Sequence, residues 1–579
     1  MVCLVTTSIE STFCLNSDIL FLGKWCLRYS NASNSSLKNS RLVKNNINDE
    51  EERKTSLFHA IEIKKKLIKK VTFFLNDYHK INLGEREWNI ILGHWLQKYV
   101  DTLYNRFDTI SKLLEDYNFD YTIVLSKKKF NFFVDNSADF TNATNDEFWN
   151  HFLFYEILHY NNFNKIEFLE SGEEFRHKNI VHPKRKIRSV TKSIFSNVSL
   201  FFAKRNKIFI SNTYLPIKYE YLLNLSFLQV FGYFLTPPII YKKNIDYQSR
   251  SISLSNGNNK NVEEFIFKNI LQFIPKTFLE DFDLNFKLAS KLFWPKNPKT
   301  IFISNNFDTN DIFKFYIVNK IIKCNTRYVV GQHGAHYGTT LQYEYYPEYE
   351  SADNFITWGW KNRESDIIGF NLKTVGFFNS YKKKSQTKYL ILSMPILHRN
   401  VLWDVFEFQD RYQEDQFKFI SNLINGIRAD LEIKLHPEHT KKIWYEKERF
   451  LDFDNLLKFD LENNCVLQKF LESKIVIHTY DSTGILECLA MNVPMIAFWT
   501  QDIYLLNEEA KLAYDMMIQA KVFFKEPTEA SFFLNTIKDN EFEWWNSLTV
   551  QKARLLFCDQ YCKIENNPIF SLKSKLNFE

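Results

Sequence analysis

The segment His478–Phe498 carries residues whose order could hold an anion and act on it. Lys474–His478 reads as a buried strand, Ser482 and Thr483 stand where a helix would begin, and Pro494–Phe498 reads as a second apolar strand. Hydroxyls at a helix start can cap free backbone N–H groups. The same N–H groups, with the helix dipole, can hold a phosphate. Gly484 falls in the first turn, and Glu487 follows one turn on, within reach of ribose hydroxyls if a nucleotide lies across that end. Asn492 sits just past the helix, where a left-handed residue is needed, and Pro494 stops the helix. An ordinary strand–helix–strand with a well-capped helix would show the same residues.

Gly331-Gln332-His333-Gly334-Ala335-His336-Tyr337-Gly338 directly follows a buried strand. Three glycines in eight residues stand out in a chain with only 14, and they let backbone turn sharply and approach a ligand. Such a loop belongs at the carboxyl end of a parallel strand, where open α/β folds bind ligands. Gly331 and Gly334 are therefore candidate donor contacts, and His333 is a candidate general base. A tight turn whose histidines bond backbone carbonyls is the plain alternative. A metal held by His333 and His336 lacks a third ligand in view. In Leu431–His439 a strand ends in His436, and Pro437 forces that histidine into an extended conformation, aiming its imidazole off the strand end. His436 could thus meet the same phosphate as Ser482 and Thr483. Asp281-Phe282-Asp283 and Asp452-Phe453-Asp454 match an acidic metal–nucleotide motif, but both fall at helix ends amid alternating apolar residues, so no metal is expected. A Walker lysine and a G-x-G-x-x-G are absent, which supports neither an ATPase nor a nicotinamide site.

The elements that must position these residues alternate. Val2–Thr6 and Ile19–Leu22 read as short buried strands, and Ser30–Lys54 as an Asn/Ser-rich loop or insertion. Helices are predicted over Ser56–Tyr78 and Glu85–Asp116, the second with apolar residues at helical spacing from Trp88 to Phe107. Lys207–Ser211 is a strand and Glu263–Phe282 an amphipathic helix. From Thr300 the order is strand Ile301–Ser304, helix Ile312–Cys324, and strands Tyr328–Val330, Phe355–Trp358 and Thr374–Gly376. After the lysine-rich stretch Tyr381–Lys388 it restarts: strand Tyr389–Ser393, helix Gln416–Ile427, strand Leu431–Leu435, helix Trp444–Leu451, then His478–Phe498. Such alternation implies parallel sheets with crossover helices.

At 579 residues the chain exceeds one ordinary core, and 45% apolar content is globular. The net charge of +6 permits contact with anionic lipid without demanding it, and no nucleic-acid partner is implied. The basic runs (Lys64–Lys66, Lys184–Lys186, Lys382–Lys384) read as solvated faces. Eight scattered cysteines without a C-x-x-C pair suit a reducing cytosol. Met1–Glu10 lacks the basic start of a signal peptide. Tyr219–Tyr241 approaches spanning length, but Glu220, Asn224, Gln229 and Pro237-Pro238 favour a core helix followed by an extended segment.

The order His333-Gly334, Lys434-x-His436-Pro437 and Thr479-Tyr480-Asp481-Ser482-Thr483 is similar to that of CDP-glycerol glycerophosphotransferases and bacterial polysialyltransferases. Leu4–Glu10 and Leu20–Cys26 resemble the opening of a family of bacterial transferases associated with surface-polysaccharide loci. The resemblance implies a GT-B-like fold: two doubly wound Rossmann-like domains facing a cleft, with helical insertions in the N-terminal half. It implies an acceptor-side domain at 1–380, a nucleotide-donor domain at 389–545 and a helical tail at 546–579 packing back on the first. His333 would be the base. Gly331, Gly334, His436, Pro437, Ser482, Thr483 and Gly484 would line the donor phosphates, and Glu487 would hold the ribose. Glu10, on an early strand-end loop, is a candidate acceptor-side acid. Tyr480-Asp481 inverts the Asp-Tyr usual in the glycerophosphotransferases, leaving the nucleobase open. The implied activity is metal-independent, without cofactor: a cytoplasmic glycosyltransferase, peripheral at the inner membrane, moving a sugar from a nucleotide-activated donor to a glycan or lipid-linked glycan. A polyol-phosphate transferase and a non-catalytic nucleotide-binding assembly protein are the rival readings.

Overall fold

The computed structural model describes residues 1–14, 16–27, 40–43, 50–126, 130–170, 206–229, 236–255, 257, 259–292, 294–378, 388–394, 409–437, 445–462, 465–499 and 505–577. The lysine runs at 184–186 and 382–384, and most of the 30–54 segment, lie outside them. Short apolar runs bounded by polar residues form three parallel sheets. The first has order β3-β2-β1-β4-β5, from β1 (Val2–Val5), β2 (Asp18–Phe21), β3 (Ser40–Leu42), β4 (Tyr121–Leu125) and β5 (Ile166–Leu169). The second has order β10-β9-β8-β7-β6, from β6 (Ile208–Ser211), β7 (Thr300–Ile303), β8 (Arg327–Gly331), β9 (Asn354–Thr357) and β10 (Asp366–Ile368). The third has order β13-β12-β11-β14-β15-β16, from β11 (Lys388–Leu392), β12 (Leu431–Lys434), β13 (Lys458–Asp460), β14 (Ser473–His478), β15 (Met495–Phe498) and β16 (Phe523–Phe524). The third is doubly wound, with its strand order reversing between β11 and β14, the place where such sheets bind ligands.

The helices used below are α1 (Glu50–His79), α2 (Glu85–Asp116), α3 (Val262–Phe273), α4 (Asp311–Cys324), α5 (Pro347–Ser351), α6 (Gln409–Ser421), α7 (Glu446–Phe453), α8 (Thr483–Met491), α9 (Leu548–Tyr561) and α10 (Pro568–Leu576). The parallel, Rossmann-like α/β architecture expected from the alternation is present, and the N-terminal half carries two such sheets. Long α1 and α2 join the first sheet to the second, since α2 buries Trp88, Trp95, Tyr99 and Leu103 in the main apolar core. α10 returns from the end of the described chain. Its Leu572 and Leu576 share an apolar cluster with Ile210, Phe302, Val329 and Ile356 of the second sheet.

Three expectations are corrected. Thr374–Gly376 is a turn with Gly376 at φ +83°, and the edge strand is β10. The helix expected over Glu263–Phe282 ends at Phe273, because Pro275 follows and removes an N–H; a new helix starts at Phe282. The helix expected from Tyr219 starts at Ile217 and ends at Ser226; it buries Leu223 against the second sheet but leaves Leu225 62% exposed, and 230–235 lie outside the described residues. Among the described residues no helix is long and apolar enough to cross a membrane.

Candidate functional site

Strand register fixes which side chains reach one edge. In the third sheet Leu392 pairs with both Lys434 and His478, so β11, β12 and β14 end level. Met394, His436 and Thr479 therefore leave the sheet side by side. In the second sheet Ser211 pairs with Ile303, and Ile303 with Val330, so Tyr214, Asn305 and His333 leave a common edge. The two edges meet. The backbone N–H of Ala335 donates to Thr483 Oγ1 at 3.1 Å, and a Cβ on Gly334 would sit 3.0 Å from that oxygen. The glycine loop is thus seated on Thr483, the first residue of α8, which is nine residues long. Further bonds lock the same seam: Asn507 Nδ2 to the Gly338 carbonyl at 2.9 Å and the Leu341 N–H to the Leu505 carbonyl at 2.9 Å.

Ser482 occupies the N-cap position with extended backbone (φ −132°, ψ 158°), but its hydroxyl makes no capping bond. It lies 3.1 Å from Nδ1 of buried His478. Burial lowers the His478 pKa to about 3, so the ring is neutral. Gly484 is required by space, since a Cβ there would come within 2.7 Å of His478 Cε1. Asn492 takes the left-handed conformation expected of it, φ 60°. Glu487 is buried, and Lys373 from the second-sheet half pairs with it at 2.6 Å.

The His333 ring is enclosed by aromatics. It stacks on Tyr214 (centroids 5.8 Å, 19°), meets the edge of Phe307, and has Nδ1 3.2 Å from the Tyr337 hydroxyl. Burial lowers its pKa to about 4, opposed by Asp308 and assisted by Lys373, so at neutral pH it has a lone pair to offer. Lys373 also lies over the Tyr214 ring at 5.5 Å and so spans from the His333 pocket to Glu487. Gly331 is pinned by Ser304, whose Oγ would be 2.3 Å from an added Cβ. Gly338 has φ +75°, where a side chain would be strained. His336 also adopts a left-handed φ of 75°, stacks on Tyr343, and has Nδ1 3.7 Å from Asp481 Oδ2. Among the described residues no group of three or more metal-ligating side chains gathers here or elsewhere.

His436 and Pro437 lie in a separate recess at the same edge of the third sheet. There His436 lines a small cleft with Ser393, Met394, Tyr412, Gln416 and Glu446. A hydrogen-bond thread ties that recess to the α8 turn: Tyr412 Oη donates or accepts with Thr479 Oγ1 at 2.7 Å and accepts from the Met394 N–H at 2.9 Å. Trp25, following β2, packs on Met394, Tyr412 and Tyr480, so the first sheet also points its carboxyl edge here. Glu10 is exposed on a single 3-10 turn after β1, against β4, at the carboxyl edge of the first sheet. Tyr214, Tyr337, Lys373 and Tyr412 were not singled out from sequence. Tyr337 was inside the glycine motif and open to notice, whereas no local pattern marks the other three.

Fold and site together define an α/β protein of parallel sheets whose carboxyl edges meet at the start of α8. The chain belongs to the LIC12162 family of transferases, whose family model matches residues 2–576, and the protein is a transferase. Among solved structures it is similar to MurG of Acinetobacter baumannii (9% identity, covering 52% of this chain and 77% of that one, TM-score 0.30). It is also similar to HepE of Anabaena in complex with UDP and glucose (10%, 64% and 97%, TM-score 0.33) and to MnaA of S. aureus with UDP (12%, 49% and 82%, TM-score 0.31). No curated protein matches. At these scores the fold rests on the sheets themselves.

Proposed function

We propose that this transferase is a glycosyltransferase that moves a sugar from a nucleotide-activated donor to a surface-glycan acceptor in the cytoplasm. The observation that supports the reading is the bond between the Gly331–Gly338 loop and Thr483, which sets the loop that carries His333 against the start of α8 in the other half. Breaking the donor bond leaves negative charge on a phosphate, which the α8 N–H groups and the Ser482 and Thr483 hydroxyls would stabilise as it develops. His436, two residues past the end of β12, would contact the distal phosphate. His333, neutral at pH 7, would take the proton of the acceptor hydroxyl, a role typically worth ~100- to 10,000-fold in rate. Glu487 would hold the ribose once Lys373 releases it, so donor binding and movement of the two halves are coupled in this scheme. A lipid-linked acceptor would bring the protein peripherally to the inner membrane.

A thermal-shift series with CMP, CDP, UDP and GDP tests the donor site. One nucleotide should raise Tm selectively, with the shift lost in Thr483→Val. Transfer should then disappear in His333→Gln and His436→Ala while their circular dichroism stays unchanged. Full transfer by both variants would remove this mechanism.

A further inference from the structure

We propose that Glu348 is a positioning residue for His333: acting through the Tyr337 hydroxyl, it selects the imidazole tautomer whose Nε2 is free to accept a proton. The inference rests on the base role given to His333. It begins from a connected set of buried polar atoms that nothing in the glycine motif announces. Glu348 sits in α5, is 3% exposed, and accepts from the Tyr337 hydroxyl through Oε1. A hydroxyl has one proton to give. Because Tyr337 gives its proton to Glu348, it can only accept at its 3.2 Å contact with His333 Nδ1. Nδ1 must then carry the hydrogen, and in a neutral imidazole that leaves the lone pair on Nε2.

The rest of the enclosure holds this arrangement in place. Glu348 Oε2 faces His94 Nε2 of α2 at 3.4 Å, and His94 stacks on Phe307, the ring whose edge meets His333 (5.2 and 5.5 Å). Four elements thus converge on one carboxylate: α1 brings Lys64, α2 brings His94, the loop after β7 brings Asp308, and the glycine loop brings Tyr337 with Tyr343 and Tyr346 beside it. Burial raises the Glu348 pKa to about 7, with the Tyr337 bond and Lys64 opposing and Asp308 adding. The carboxyl therefore changes charge near neutrality, while His333 itself resists protonation down to about 4.

The consequence follows from counting hydrogens. When Glu348 is ionised, the order is His333 Nδ1–H to Tyr337 Oη, then Tyr337 O–H to Glu348. When Glu348 gains a proton it becomes a donor to Tyr337. The tyrosine then turns its own hydrogen toward Nδ1, and the imidazole hydrogen exchanges through solvent to Nε2. In that form Nε2 has no lone pair. On the working side of the switch, Nε2 takes the acceptor's proton. The resulting imidazolium keeps Nδ1–H on Tyr337, with the Glu348 carboxylate one hydroxyl away to offset its charge.

The test uses the full chain, with the nucleotide sugar chosen by the thermal-shift screen. The pH dependence of kcat/KM for nucleotide release is compared in wild type, Tyr337→Phe, Glu348→Gln and His333→Gln. Wild type should rise with pH through about 7, the value for Glu348. In Tyr337→Phe, a hydroxyl-for-hydrogen change that keeps the ring, the limb should move toward about 4, the value for His333, and the plateau should fall ~10-fold or more. Ring-15N histidine spectra, with the His333 signal assigned by its loss in His333→Gln, need no donor. They should show Nδ1–H alone in wild type at pH 8 and a tautomer mixture in Tyr337→Phe. A Tyr337→Phe protein with the wild-type limb and tautomer overturns the inference, even if Glu348→Gln fails to fold. Unimpaired transfer by His333→Gln overturns the base reading itself. An inactive His333→Gln beside an unaltered Tyr337→Phe overturns only the role of Glu348.

Discussion

Thr483 does two things with one oxygen: it accepts the Ala335 N–H from the opposite half, and it opens the helix that would bind phosphate. Thr483→Val keeps the shape and leaves that N–H unpaired, a loss of about 1–3 kcal/mol. Thr483→Ser should recover most of it, read as urea unfolding midpoints. The buried histidines set a second residue-scale expectation. His478 and His333 have folded pKa values of about 3 and about 4, below the unfolded value of 6.5. The unfolded chain therefore binds protons first as pH falls. Their contribution to stability is complete above pH ~6.5 and is lost on acidification toward those folded values. His478→Gln should flatten that acid limb in unfolding measured between pH 7 and 4. Glu348, with its raised value of about 7, has the opposite sign, since its ionisation weakens the fold as pH rises from 4.5 to 7.

At the scale of elements, α10 is the clearest tie between the end of the described chain and its middle. Leu572 is fully buried against the second sheet, and the Asn371 N–H donates to the Lys563 carbonyl just before that helix. Leu572→Ala should destabilise by about 2–5 kcal/mol, visible as a lower thermal midpoint. Elements also explain which boundaries could be foreseen. Glu85–Asp116 was legible to the residue because its apolar spacing is helical throughout and no proline interrupts it. Thr374–Gly376 reads as a strand but is a turn, and the edge strand β10 carries no signal of its own, because three residues are too few to show a period.

For the whole molecule, Lys373 is one of several ties between the halves: it lies over Tyr214 and pairs with buried Glu487. Lys373→Met leaves a buried carboxylate uncompensated, a change of about 3–5 kcal/mol for a fully buried pair. Partial exposure of Lys373 makes this an upper bound. Adding Glu487→Gln should restore part of the lost thermal stability, and a non-additive double-mutant cycle would demonstrate the link. Two independent changes that simply sum would show that the pair contributes nothing between the halves.

By itself the sequence determined the alternating α/β class, the strand that leads into Leu435 and His436, the helix start at Ser482-Thr483, the left-handed Asn492 and the glycine loop around His333. Each of these is written in neighbouring residues, where periodicity, caps and glycine spacing act over a turn or a strand. Only the tertiary structure decided which of them meet. It set the glycine loop on Thr483, turned Ser482 toward His478 and away from capping, closed Lys373 on Glu487, and put Glu10 at the carboxyl edge of the first sheet. It also assembled His333, Tyr337, Glu348 and His94 from segments over 200 residues apart. Strand order and register fix such meetings through hydrogen bonds between distant segments, and no local window of sequence contains them.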